Sequence, residues 1–157
     1  MSTWKEFRKA GSTSASDKIK NLGLLVVDDE SGIVKAISDV FEEAFVIYPA
    51  TSAADAMKLF RDHQPRIVIS DQRMPDMTGI ELFRQIREIN PDTICILVTG
   101  YSDISVVITA LNEGLVWKYV TKPWDHEALR AMVAEAAREW LRRAGEDEKT
   151  INNFLGS

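Results

Sequence analysis

Five polar residues stand at the ends of short apolar runs in this chain. Asp28 and Asp29 follow Leu22-Gly-Leu-Leu-Val-Val27, Asp71 follows Ile67-Val-Ile-Ser70, Thr99 closes Thr93–Val98, and Lys122 follows Trp117–Thr121. Three carboxylates brought together repel, so at neutral pH they either take up a proton or bind a cation. Oxygen donors with room for water favour Mg²⁺ over zinc, which prefers His or Cys. Once that charge is cancelled, a carboxylate can attack phosphorus and form an acyl phosphate. Asp71 is the candidate nucleophile. Lys122 would supply positive charge to the equatorial oxygens, and the Thr99 hydroxyl a hydrogen bond. His63 and His126 lie far from this cluster without spaced partners and read as surface residues.

Each signal has a blander reading when taken alone. Acids after a strand suit a helix start. Asp71 could be a turn residue, Thr99 beside Gly100 a turn cap, and Lys122-Pro123 is weak by itself. The functional reading prevails because the signals fall in order, each at the carboxyl end of an expected strand. In an open parallel α/β sheet that edge is where ligands collect.

The elements that would position these residues follow from the hydrophobic pattern. Leu22–Val27, Phe45–Tyr48, Ile67–Ser70, Thr93–Thr99 and Trp117–Val120 read as strands. The solid apolar runs indicate strands buried on both faces, and Phe45–Tyr48 reads as an edge. Helical spacing joins Ile33, Ile37, Val40 and Phe41, with Ser31 as the expected cap. Ser52-Ala-Ala-Asp55 opens a second helix as a capping box. Thr78-Gly-Ile-Glu81, Ser102-Asp-Ile-Ser105 and Pro123-Trp-Asp125 open three more. Five βα units with short connections predict a parallel sheet with helices on both faces. Gly145-Glu-Asp-Glu148 is expected to end the last helix, leaving residues 144–157 as a polar tail or the start of a linker.

The 157 residues are 45% apolar and 27% charged, ordinary for one globular domain. A net charge of −5 gives no reason to expect nucleic-acid binding. Charge is uneven: residues 1–20 carry +3 and the remainder −8. That first segment reads as an arm. Gly11–Ser16 is polar and flexible in composition, and Trp4 and Phe7 could form a short docking turn, with a disordered leader the favoured account. No run is long enough to span a bilayer, and no apolar segment follows the first residues as in a signal peptide. The single cysteine, Cys95, lies in an apolar run and reads as a small core residue, so no internal disulfide is expected, which fits the cytoplasm.

The chain strongly resembles the receiver domain of two-component response regulators, the CheY-like family. The matching stretches are Leu25–Glu30, Asp71-Gln-Arg-Met-Pro-Asp-Met-Thr-Gly79, Val98-Thr-Gly100 and Tyr119-Val-Thr-Lys-Pro123, within a domain of residues 21–143. The resemblance implies a flavodoxin-like (βα)5 fold with strand order 2-1-3-4-5. It implies that Asp71 takes a phosphoryl group from a sensor histidine kinase or phosphotransfer protein, and that the domain catalyses only its own phosphorylation and dephosphorylation. Asp29, Asp71 and the Arg73 carbonyl would ligate Mg²⁺, with Asp28 helping through water. Lys122 would contact the phosphoryl group beside a cis Lys122–Pro123 bond. Thr99 and Tyr119 would switch, Gly100 would leave space, and Arg73 and Tyr101 would tune hydrolysis, here towards a shielded, slower reaction. The responsive face would be the helix after Thr99, the strand with Tyr119 and the last helix, a site for a phosphorylation-favoured homodimer. Receivers with similar stretches are fused to outputs, so the chain either stands alone or is a receiver from a longer protein, the second being favoured.

Three rival readings fit these residues less well. A haloacid-dehalogenase-type phosphatase needs Asp-x-Asp-x-Thr at the first strand, which Val27–Ser31 does not supply. A nucleotide-binding fold needs a Gly-rich first turn, and Gly23 stands alone. A pseudo-receiver, acting as a phosphorylation-independent interaction module, usually lacks an acid or the lysine, and none is missing here.

Overall fold

All five apolar runs form strands, with their ends moved by a residue or two. The computed structural model describes residues 13–155, with side chains for all of these except residues 13–17, Tyr101 and Phe154. In chain order the elements are α1 (Thr13–Leu22), β1 (Leu24–Val27), α2 (Ser31–Phe41), β2 (Ile47–Ala50), α3 (Ala53–His63), β3 (Ile67–Asp71) and α4 (Gly79–Ile89). Then follow β4 (Ile94–Thr99), a 3₁₀ turn (Tyr101–Asp103), α5 (Ile104–Asn112), β5 (Lys118–Thr121), α6 (His126–Arg143) and α7 (Glu148–Leu155). The strands are parallel in the order β2-β1-β3-β4-β5, the expected flavodoxin-like topology.

Alternate strand residues feed two cores, which is why the central strands lack a polar face. Leu24, Val26, Ile67, Ile69, Ile94 and Ile96 pack with α2 and α6. Leu25, Val27, Val68, Cys95 and Leu97 pack with α3, α4 and α5 on the other face. Burial pushes the Cys95 thiol up to about 12, as suits a core residue. His63 and His126 are exposed, as expected.

Local chemistry sets the helix starts. The Ser52, Thr78 and Asp125 side chains accept the amides of Asp55, Glu81 and Ala128. The start of α2 departs from expectation. Ser31 is its first residue rather than its cap, and Glu30 at the cap position makes no side-chain cap bond. The Asp28 carboxylate shapes that turn instead, accepting the Glu30 amide at 2.9 Å.

Both ends of the chain depart further. The arm expected over residues 1–20 is helical from Thr13, and Ile19 and Leu22 are buried in the α2/α6 core. Isolated short helices are marginal in water, so it is docking of these two side chains that fixes α1. Trp4 and Phe7 lie outside the described residues. The tail expected over 144–157 contains α7, started by Asp147, whose carboxylate accepts the Thr150 amide at 2.7 Å. Ile151 and Leu155, one turn apart, close the same core, and α7 packs against α6 and α1. Among the described residues no helix is long and apolar enough to cross a membrane.

Candidate functional site

Strand register brings the polar residues together. Val27 pairs with Ser70, so Asp28 stands level with Asp71. Asp71 pairs with Val98, which sets Thr99 one step beyond. Thr99 pairs with Thr121, so Lys122 lies one step past it. Backbone bonds carry the ladder over the strand ends: Gln72 N–H donates to Val98 O at 3.1 Å, and Lys122 N–H to Thr99 O at 2.9 Å. The Lys122–Pro123 peptide is cis.

Asp28, Asp29 and Asp71 each offer a carboxylate oxygen, and these oxygens lie within 4.8 Å of one another. Asp28 and Asp71 are buried, while Asp29 is exposed. Lys122 Nζ lies 3.2 Å from Asp71 Oδ1 and 3.5 Å from Asp28 Oδ2. Burial raises the Asp28 pKa, assisted by the neighbouring Asp71 charge and opposed by the Glu30 amide and Lys122. Burial works against the charge on Lys122, but bonding to Asp71 and Asp28 outweighs it and raises its pKa. One cation thus faces three acids, and the excess negative charge with all-oxygen donors suits a hard divalent ion.

The Thr99 hydroxyl is fully buried. It lies 3.2 Å from the Gly100 carbonyl and 3.4 Å from Asp103 Oδ2. A Cβ at Gly100, next to Thr99, would meet nothing within 4 Å. Tyr119 is half-buried against the α3/α4/α5 core. Arg73 turns its side chain across the rim to Asp103 and Ser102. The Tyr101 side chain lies outside the described residues.

Sequence reasoning missed three supports. Gly79 is required by space, since a Cβ there would collide with the Asp71 carbonyl oxygen and the Leu97 side chain. Buried Gln72 gives its amide to Asp71 Oδ1 at 2.9 Å and accepts the Ile80 amide at 3.1 Å, tying strand end to helix start. Asp76 accepts the amides of Ala53 and Ala54, at 3.3 and 3.1 Å, and so pins the loop after Asp71 to α3. A glycine opening a helix was the one readable signal. The Asp76 bonds are long-range, and the Gln72 bonds, though local, follow no capping or turn pattern. Asp103, four residues after Thr99, also went unread: pairing with Arg73 holds its carboxyl below the usual carboxylate range.

A doubly wound parallel sheet with a carboxylate trio and a lysine at its carboxyl edge defines a flavodoxin-like α/β domain with an acidic pocket. Residues 24–134 match the model of the response regulator receiver domain, and the chain belongs to that family, the signalling domain of bacterial two-component systems. The hydrogenase transcriptional regulatory protein HoxA of Bradyrhizobium diazoefficiens is 36% identical over 137 residues, 84% of this chain and 28% of its own. A response regulator receiver domain protein from Clostridium thermocellum is 28% identical with a TM-score of 0.69, over 78% of this chain and 96% of that one. The BeF3-activated DrrB receiver domain is 31% identical with a TM-score of 0.66, over 73% of this chain and 95% of that one. The chain spans about a quarter of the length of HoxA and of the regulatory protein AtoC of Escherichia coli, which it also matches.

Proposed function

We propose that Asp71 is the phosphoacceptor of this receiver and that its acyl phosphate switches the face built by α5, β5 and α6. The observation that carries this reading is the Lys122 ammonium, which bridges Asp71 and Asp28 inside a trio of carboxylates. An oxygen of Asp71 attacks the phosphorus of a kinase or phosphotransfer phosphohistidine. The P–N bond breaks as the P–O bond forms, and the imidazole leaves as the neutral base after taking a proton.

Asp29, Asp71 and the Arg73 carbonyl would hold Mg²⁺, with Asp28 acting through water. The ion, when bound, lowers the repulsion between the acids and the incoming phosphate. Lys122 moves from carboxylate to phosphoryl oxygens without leaving the pocket. The product adds about two negative charges at one spot. Thr99 gives its hydroxyl to the new oxygens and Tyr119 turns inward behind it. Bulky Arg73 and Tyr101 shield the acyl phosphate from water, and Gly100 leaves room for it.

Val106 and Ile108 on α5 are about half exposed (50% and 49%), as a partner-binding face would have them. That face serves a homodimer or an output domain in cis. The transcriptional regulatory role of HoxA supports an output of that kind. The reading places the domain in the cytoplasm with its kinase.

The test is incubation with a small phosphodonor and Mg²⁺. Wild type is expected to gain one acid-stable, base-labile phosphoryl group, and Asp71→Asn none. Equal labelling of the variant refutes the assignment. A wild type that never labels favours the interaction-module reading.

A further inference from the structure

Asp103 occupies the N-cap position of α5, yet its side chain makes no cap hydrogen bond. An aspartate there ordinarily accepts an amide from the first turn. This one faces the pocket instead. Arg73 Nε lies 3.1 Å from its Oδ2 and Arg73 Nη2 3.0 Å from its Oδ1, a two-point pairing. The Thr99 hydroxyl lies between two acceptors, the Gly100 carbonyl at 3.2 Å and Asp103 Oδ2 at 3.4 Å, and Arg73 Nη2 also reaches Ser102 Oγ at 3.3 Å. One carboxylate therefore gathers donors from the loop after β3 and from the end of β4.

We propose that Asp103 is a positioning residue that withholds Thr99 and Arg73 from the phosphoryl group, so that the acyl phosphate must compete with it for the same donors. This rests on the reading of Asp71 as phosphoacceptor. The Thr99 hydroxyl has a single proton to donate. The Arg73 fork fits a carboxylate or a phosphoryl group in the same two-point manner. While they bond Asp103, neither the Thr99 proton nor the Nε/Nη2 edge of Arg73 can serve a second anion. Arg73 is largely exposed, with 71% of its side chain accessible, and such a pair is weak enough to exchange. The freed carboxylate already stands where α5 lacks a cap, so exchange offers it the amides of the first turn. Asp103 in this way sets the threshold at which charge on Asp71 captures the switch threonine.

The experiment is calorimetric titration of the full chain with beryllofluoride and Mg²⁺. Asp103→Asn keeps the capacity to cap a helix and loses the charge. It is expected to bind beryllofluoride about fivefold more tightly than wild type, the upper scale of one exposed ion pair released. In a Thr99→Ala/Arg73→Ala background the same change is expected to do nothing. Asp103→Glu, which keeps the charged acceptor, is expected to stay within about twofold of wild type. Should Asp103→Asn melt early, Asp103→Ser, with a capping hydroxyl and no charge, replaces it under the same expectation. Unchanged or weaker binding by the uncharged variant overturns the inference while leaving Asp71 in place. So does an equal gain in the double background. Failure of wild type itself to bind removes the Asp71 reading, and this inference falls with it.

Discussion

The carboxyl edge of the sheet and the flank where α1, α6 and α7 meet are built by the same device and to opposite ends. Each gathers residues from distant parts of the chain. The flank collects Ile19, Leu22, Leu141, Ile151 and Leu155, all 6% exposed or less. The edge collects three acids and one lysine, two of the acids buried. At the flank, burial and packing agree, because these apolar side chains leave water for a packed core. At the edge they conflict: burial raises the Asp28 pKa, so the folded protein holds charge there at a cost. Stability is drawn from one region and spent in the other, and the spent region is where an incoming phosphoryl group can change the balance.

The largest expected effect that separates the two regions falls on chemistry. Lys122→Met removes the cation from the edge and should slow labelling by a small phosphodonor about 100-fold, on the scale of losing one preorganised charge partner. Rates followed by mass spectrometry check it, with the flank core unaffected. Next comes a change confined to the flank. Ile151→Ala should cost about 2–4 kcal/mol by urea denaturation, as expected for truncating a buried aliphatic side chain, while the labelling rate per folded molecule stays unchanged. A loss of labelling in that variant would show that the two regions are coupled.

The smallest effect concerns Asp28 in chelator-treated protein. Its folded pKa lies above the ordinary 3.8, so between those two values the folded state binds more protons than the unfolded one. Wild-type stability should therefore fall as pH climbs through that window and stay lower above it. Asp28→Asn should lose that descent and melt slightly higher at neutral pH, readable by thermal denaturation across a pH series. A variant that melts lower would mean that the bond to Lys122 outweighs burial and repulsion.

How much of this could be read in the chain differs between the same two regions. The edge was legible because its residues sit directly after strands whose apolar runs are unmistakable. Asp28, Asp71, Thr99 and Lys122 needed only a parallel register to meet. The flank was not. Thr13-Ser-Ala-Ser16 is polar and helix-poor, and Glu148–Leu155 has only Ile151, Phe154 and Leu155 to mark it, so neither segment has a strong local reason to be helical. Ser31 misled for a related reason: the nearest capping residue by type is the first residue of α2, and the side chain that bonds this turn is Asp28.

From sequence alone come the alternation of strands and helices, the carboxyl-edge position of each polar residue and the membership of the receiver family. The first two rest on short-range periodicity, which a linear chain displays, and the third on motif stretches that resemble the family. Tertiary structure alone decided that Asp103 turns from its helix to Arg73 and Thr99, that Asp76 holds the loop after Asp71 to α3, and that both ends of the chain close the core. Each of those depends on a contact between groups more than twenty residues apart or on a carboxylate choosing between two nearby donors. Such choices are settled by distance and burial in three dimensions, not by the order of residues.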